Sequence, residues 1–216
     1  MTGWRRAAAD GLGTAFLLAA VVGSGIMGER LAGGNVALAL LANAIATGLA
    51  LVALIVAFES RSGAHFNPLV TVAFAVRGEF SRKEVFPYLF SQAIGALLGV
   101  AVAHAMFDLS IVQAGTQVRT GGAQWWSEIV ATFGLVWVVL SCDAKQAPFA
   151  VGGYIAAAYW FTASTSFANP AVTLARCFTD TFAGIRPIDV APFVAAQVIG
   201  AALALLVDRA LRDRRV

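Results

Sequence analysis

The sequence predicts an all-α membrane protein with six transmembrane helices and two re-entrant half-helices, arranged as an inverted repeat. Composition is the first observation: the 216 residues are 59% hydrophobic and 12% charged, whereas soluble domains average roughly 25% charged residues. The second is a set of six apolar stretches, each long enough to cross a bilayer. The third is a pair of Asn-Pro motifs at equivalent places in the two halves of the chain. Together these observations exclude a soluble enzyme.

A bilayer core of about 30 Å is crossed by about 20 helical residues. The predicted spans lie at roughly 11–28, 35–58, 84–105, 125–142, 148–165 and 188–207. Two further apolar stretches, at about 66–76 and 167–178, are too short to cross, and each begins just before an Asn-Pro pair. We interpret them as half-membrane elements. The first span follows Arg5 and Arg6 and also fits a signal peptide, which we disfavour because the span has a counterpart in the second half.

An even number of spans places both termini on one side of the membrane, so each basic residue can be assigned to a side. Of the 15 Lys and Arg residues, 11 fall on the side of the termini. These are Arg5, Arg6, Arg61, Arg77, Arg82, Lys83, Lys145, Arg209, Arg212, Arg214 and Arg215. The others are Arg30, Arg119, Arg176 and Arg186. The positive-inside rule therefore predicts that both termini are cytoplasmic.

An internal repeat relates the two halves of the chain. The segment 65–71 corresponds to 167–173 at an offset of 102, and 87–96 corresponds to 192–201 at an offset of 105. Each half holds three spans, which is an odd number, so the second half enters the membrane from the opposite face. The two Asn-Pro segments must then also enter from opposite sides.

The Asn-Pro pairs mark two helix N-termini. Asn is a favoured N-cap, and proline at the first helical position has no amide hydrogen to leave unpaired. Asn67 and Pro68 would open one half-helix and Asn169 and Pro170 the other. Two half-helices of about 15 Å each meet end to end near the centre of a 30 Å core. Each N-terminus carries about half a positive charge, so the pair would form a barrier to cations.

Two acids open corresponding spans, Asp10 in the first and Glu128 in the fourth. We favour a structural role for both, as acceptors for backbone amides of the re-entrant segments, over a proton relay. His65 is interpreted as a contact of the cytoplasmic vestibule, with a role in holding its own loop as the alternative. Gly95 and Gly99 form a GxxxG pattern, which we assign to helix packing within one chain rather than to an oligomer contact.

The whole chain, residues 1–216, is predicted to be one membrane channel domain made of inverted repeats 1–107 and 122–216. Cys142 and Cys177 lie in different apolar segments and form no CxxC motif. The sequence contains no nucleotide-binding loop, catalytic triad or HExxH cluster, so we expect no enzyme, no cofactor and no metal. The basic net charge is attributed to topology and not to nucleic-acid binding.

A passive channel for small neutral solutes is the function that this arrangement favours. The alternative is a secondary transporter, which also uses inverted repeats and broken helices at the midplane. A transporter usually needs an ionisable residue there for its coupling ion, and neither Asn-Pro element carries one near its N-terminus.

The motifs identify a family. The segment 62–68 and the second motif, Asn169, Pro170 and Ala171, closely resemble those of an aquaporin of the major intrinsic protein family. The resemblance covers almost the whole chain. It implies six tilted helices and two half-helices around one pore, a homotetramer in the membrane, and asparagine amides that donate to passing solutes. Leu69 departs mildly from the usual alanine of the first motif.

A second departure concerns the narrow filter of the family. The family normally places arginine directly after the second motif, where this chain has Val172. Distances from the motifs carry the remaining filter positions onto Thr47, Ala157 and Ser166. These four residues would form a wide, uncharged constriction. Arg176 lies one turn beyond Val172, so we expect its charge about 6 Å further out, at the mouth of the pore.

A wide filter resembles that of aquaglyceroporins, including bacterial members linked to metalloid resistance. The resemblance implies a channel in the bacterial inner membrane for water, glycerol and neutral metalloids such as arsenous acid or methylated arsenicals. The expected partners are therefore these solutes, membrane lipid and further copies of the chain.

Overall fold

The computed structural model describes residues 3–212 of the chain; Arg214 and Arg215, which were assigned to the side of the termini, lie outside this range. The described residues form eight α-helices and no strands. The helices are α1 (Gly3–Leu31), α2 (Val36–Ser62), α3 (Pro68–Arg77), α4 (Arg82–Met106), α5 (Gly122–Ser141), α6 (Ala147–Phe161), α7 (Pro170–Arg176) and α8 (Pro187–Leu211). This order confirms the predicted architecture of six long helices and two short ones, in which α3 and α7 are the half-helices.

The helices pack as two groups of three long members. In the first half α1 lies between α2 and α4, and in the second half α5 lies between α6 and α8, while α2 and α6 join the two groups. Five of the long helices are apolar and long enough to cross a membrane. Large side chains such as Leu49, Leu98 and Leu206 are exposed on their outer faces, as expected for an integral membrane protein.

Small residues allow α1 and α4 to approach closely. A Cβ atom added at Gly95 would lie 2.0 Å from the carbonyl oxygen of Gly11, and one added at Gly99 would lie 2.2 Å from that of Ala15. The equivalent contact in the second half joins Gly200 to α5. The GxxxG pattern therefore lies at a helix interface within the chain.

The fifth span, α6, is shorter than its apolar sequence suggests. We expected it over 148–165, but α6 ends at Phe161, and Thr162 has extended backbone angles. Fifteen helical residues cover about 22 Å, less than a 30 Å core. The helix ends early because residues 162–168 must run back towards the midplane to reach the N-terminus of α7.

Candidate functional site

A cavity of about 390 Å³ lies between the two groups of helices, and both Asn-Pro motifs reach it. Apolar side chains from both halves line it, among them Leu17, Val21, Leu51, Ile55, Val70, Leu135, Val139, Val151, Ile155 and Val172. Polar side chains face the same space, namely Thr47, His65, Asn67, Tyr159, Ser166 and Asn169. Glu59, Glu79 and Asp143 lie at the end nearer the termini, whereas Arg176 belongs to the opposite half.

The two asparagines are joined by a crossed pair of hydrogen bonds. Asn67 Nδ2 donates to the carbonyl oxygen of Ala168, and Asn169 Nδ2 donates to that of Phe66, each at 2.8 Å. The Oδ1 atom of each asparagine caps its own half-helix, because it accepts from the amide of Leu69 in one case and of Ala171 in the other. An amide group has two hydrogens, so each asparagine keeps one donor for a solute in the cavity.

The backbone before each asparagine is held in an unusual conformation. Ala64 and Phe66 have φ of 50° and 49°, and the equivalent Ser166 and Ala168 have φ of 50° and 48°. A non-glycine residue in this left-handed region is strained by about 1 to 2 kcal/mol. The conformation turns the carbonyls of Phe66 and Ala168 towards the opposite asparagine. The same local geometry thus appears in both halves of the chain.

Two buried carboxylates stabilise these strained segments. Asp10 accepts from the amides of His65 at 2.9 Å and Phe66 at 3.0 Å, and Gln92 donates to it at 2.7 Å. Ser62 Oγ adds a bond at 3.0 Å.

Glu128 makes the corresponding contacts in the second half. It accepts from the amides of Phe167 and Ala168, both at 2.9 Å, and from Gln197 at 2.6 Å. Both carboxylates are fully buried. Donors of the re-entrant segments and of a neighbouring long helix satisfy their lone pairs.

His65 lies at the cavity and packs within its own loop. Its ring lines the cavity, stacks on Phe74 with a centroid distance of 5.1 Å, and contacts Phe80 and Tyr88. Its Nδ1 lies 3.1 Å from the hydroxyl of Thr71 in the same re-entrant element. Aromatic packing therefore fixes the ring at the edge of the vestibule.

The side chain of Leu69, the residue that departs from the first motif, packs in an apolar cluster with residues of α3, α5 and α8.

Three of the four expected filter residues line the cavity: Thr47, Ser166 and Val172. Ala157 needs a correction, because it is exposed on the outer face of α6 and is not part of the lining. Tyr159 occupies the cavity wall instead, and its hydroxyl lies 3.3 Å from that of Thr47. A fixed count back from Asn169 fails because α6 ends at Phe161 and is followed by a turn in which Thr165 donates to Thr162. The length of this connection determines which residue of α6 faces inward.

Arg176 was expected to place its charge at the mouth of the pore, and in the structure its side chain lines the cavity. Its side chain is only 2% exposed, and the guanidinium carbon lies 3.4 Å from the ring centroid of Phe167. Its Nε donates to the carbonyl oxygen of Ala183. The side chain therefore lies against the cavity wall, where an aromatic face and a backbone carbonyl hold it.

Arg119, in the connection between α4 and α5, is a residue of the site that the sequence did not single out. Arg119 donates to the carbonyl oxygens of Gly184 at 2.8 Å and Phe182 at 3.3 Å, and its guanidinium carbon lies 4.9 Å from the Phe167 centroid. Its backbone amide donates to Asp189 at 2.9 Å. Burial lowers the pKa of Arg119 from its usual value, but an arginine side chain stays cationic. A lone loop arginine carries no periodicity or motif, so no sequence signal indicated this position.

Comparisons with known proteins agree with this geometry. Residues 1–163 match the family model described as "Major intrinsic protein". The chain is 53% identical over 208 residues to aquaglyceroporin AqpS of Rhizobium meliloti (strain 1021), covering 95% of this chain and 89% of that protein. It is 33% identical over 97 residues to the glycerol uptake facilitator protein of Bacillus subtilis (strain 168), covering 39% and 35% of the two chains. The X-ray structure of the aquaglyceroporin from Plasmodium falciparum has the same fold, with a TM-score of 0.75, 17% identity and 97% of both chains covered.

Proposed function

Because the chain belongs to the major intrinsic protein family, we propose that it is a passive transmembrane channel for small uncharged solutes. The observation that carries the proposal is the crossed pair of asparagine amides. Each amide keeps one free hydrogen, and both asparagines lie at helix N-termini that reach one cavity. A neutral solute can exchange its water hydrogen bonds for these donors as it passes. The two positive helix ends make the same point unfavourable for a cation.

The proposed solutes are water, glycerol and neutral metalloids such as arsenous acid or methylated arsenicals. Support comes from the lining at Val172, which is a short apolar side chain, and from Thr47 and Ser166, which carry small hydroxyl groups. The relative that is 53% identical over 95% of this chain is named an aquaglyceroporin. We assign the filter to Thr47, Tyr159, Ser166 and Val172, and we propose that the chain catalyses no reaction.

We propose structural roles for Asp10 and Glu128, because each accepts two backbone amides from a strained re-entrant segment. His65 is proposed to shape the vestibule on the side of the termini. Pro68 and Pro170 are the first residues of the half-helices, where their fixed φ favours the helical start.

The proposal extends to the organisation of the protein in the cell. The chain is one channel domain of inverted repeats 1–107 and 122–216. It assembles as a homotetramer in the bacterial inner membrane with both termini in the cytoplasm. Single cysteines introduced near each terminus should therefore react with a membrane-impermeant thiol reagent only after the inner membrane has been opened. Labelling of either terminus in intact spheroplasts would contradict the orientation.

Flux into liposomes tests the proposed function. Purified protein in proteoliposomes should speed osmotic shrinkage in sucrose and reswelling in glycerol relative to empty vesicles, with no ion gradient present. Uptake of arsenous acid can be followed in the same vesicles by elemental analysis. Asn169→Ala should reduce all fluxes. A solute flux that requires a proton or sodium gradient would support the secondary transporter instead, and an absence of flux for every solute would overturn the channel.

A further inference from the structure

The opposite side of the cavity from the termini contains two arginines that share one aromatic ring. The guanidinium carbons of Arg176 and Arg119 lie 3.4 Å and 4.9 Å from the ring centroid of Phe167. Arg176 comes from the end of α7, and Arg119 comes from the connection between α4 and α5. Phe167 lies two residues before Asn169, so this cluster lies next to the narrow part of the cavity.

Within residues 3–212 neither of the two arginines forms an ion pair with a carboxylate, although the buried Glu128 lies near enough to interact with both charges. Ion pairs in residues 3–212 involve Arg6, Arg77, Arg186 and Arg212, and none involves Arg119 or Arg176. Arg119 is instead held by backbone carbonyls, and Asp189 accepts from its backbone amide while pairing with the side chain of Arg186. The cluster therefore keeps two positive charges in a poorly hydrated place.

Arg176 has hydrogen-bonding capacity left for a solute. Its Nε donates to Ala183, whereas its two terminal nitrogens make no hydrogen bond within residues 3–212. The hydroxyl of Ser166 is buried and also has no partner in that part of the chain. Both side chains line the cavity. A guanidinium only donates, so it matches solutes that present oxygen acceptors.

We propose that Arg176 supplies the cation barrier and the solute-orienting donors that Val172 does not provide, and that Arg119 positions Arg176 through their shared contact with Phe167. This inference rests on the proposed channel function. The preferred solutes are small uncharged molecules with hydroxyl or carbonyl oxygens, whose acceptors bind the terminal nitrogens of Arg176. Cations are repelled by the two charges before they reach the asparagines.

Selectivity measurements on reconstituted variants test the proposal. Arg176→Leu should raise the leak of methylammonium relative to water by about tenfold or more, because a charge in a confined cleft changes local ion concentrations by at least that factor. Arg176→Lys keeps the charge and should retain cation exclusion while changing glycerol flux. Arg30→Leu is the matched control, since Arg30 also lies over a phenyl ring, that of Phe107, but is exposed.

The positioning role of Arg119 is tested by measuring selectivity, which a merely structural role would not change. Arg119→Gln should raise the ratio of methylammonium leak to water flux less than Arg176→Leu does. Its melting temperature is measured alongside, because the substitution also removes the donor to the carbonyl oxygens of Gly184 and Phe182. In the Arg176→Leu background the same change should have no further effect on selectivity, and Arg119→Lys should restore part of the barrier.

The outcomes separate this inference from the channel function. Wild-type glycerol flux together with an unchanged cation leak in folded Arg176→Leu and in Arg176→Lys would overturn the role of Arg176. Additive effects of the two arginine substitutions would overturn the positioning role of Arg119. If wild-type protein conducted no neutral solute at all, the proposed function would fail before either arginine had been tested. Should Arg176→Leu not fold, the comparison of Arg176→Lys with Arg30→Leu still decides the question.

Discussion

The hydroxyl of Thr47 lies 3.3 Å from the hydroxyl of Tyr159. The two residues belong to α2 and α6, which are the long helices that join the halves of the protein. Both residues line the cavity, and each carries a hydroxyl that can donate and accept.

Tyr159→Phe is expected to weaken the conduction of polyols more than that of water. Loss of one hydrogen bond of about 0.5 to 1.5 kcal/mol corresponds to a change of about twofold to tenfold in glycerol flux. Ala157→Val is the matched control on the same helix and should leave both fluxes unchanged, because Ala157 is exposed on the outer face. Light-scattering measurements on proteoliposomes give both fluxes. A large effect of Ala157→Val together with none of Tyr159→Phe would restore the filter position expected from the sequence.

Val172→Arg should reduce the flux of glycerol and arsenous acid by about tenfold or more, and water flux by much less. The arginine would narrow the cavity beside Asn169 and add a further positive charge. Val172→Leu separates the two effects because it adds volume without charge. Equal reduction of every solute would indicate a general block. Unchanged flux of the large solutes would place the limiting constriction elsewhere. Adding Thr47→Phe should deepen the effect, since the two side chains would narrow the same ring.

Asp10→Ala and Glu128→Ala should each reduce stability and yield before they affect selectivity. Each substitution leaves two buried amides without an acceptor, at about 1 to 3 kcal/mol per amide, beside residues already strained at positive φ. Melting temperature in detergent measures the effect. Glu29→Ala serves as the control because Glu29 is exposed. A stable variant with altered pH dependence of flux would favour a proton relay.

Gly95→Ala and Gly200→Ala should destabilise the protein, by about 1 to 3 kcal/mol each. The new methyl groups would lie 2.0 Å from the carbonyl oxygen of Gly11 and 2.4 Å from that of Ile129. Gly153→Ala is the matched control, because a Cβ atom there meets nothing within 4 Å and alanine favours the helix. Equal melting temperatures for all three variants would contradict the tight packing of α1 on α4 and of α5 on α8.

Much of the fold could be predicted because the membrane restricts the possible structures. Hydropathy indicated the long helices, and an odd number of spans per half required the inversion. The paired Asn-Pro motifs located the N-termini of α3 and α7 to within two residues. The end of α6 was predicted less well, because residues 162–166 are compatible with a further helical turn or with the non-helical turn that the structure has there. The tertiary path to Asn169 decides between the two.

The site was predicted in part. The Asn-Pro pattern predicted that the two asparagines cap helices, and the inverted repeat predicted that both lie at the cavity. The inward face of α6 could not be obtained by counting from Asn169, so Ala157 was chosen where Tyr159 lines the wall. The partners of Arg176 also depend on tertiary structure, because its contacts come from Phe167 and from the segment after α7. Arg119 approaches from a loop whose conformation depends on backbone bonds to that same segment.

The crossed hydrogen bonds made by the asparagines limit when, during synthesis, the centre of the protein can fold. Asn67 finds its partner 101 residues later in the chain, and Asn169 finds its partner 103 residues earlier. At about 5 to 20 residues per second, the first half waits roughly 5 to 20 s for that partner to be made. During this interval the carbonyl of Phe66 and the amide of Asn67 lack their final partners inside the membrane. The centre of the molecule therefore forms only after residue 169 has been made, and a ribosome that stops before residue 168 leaves behind a half-channel without a closed wall.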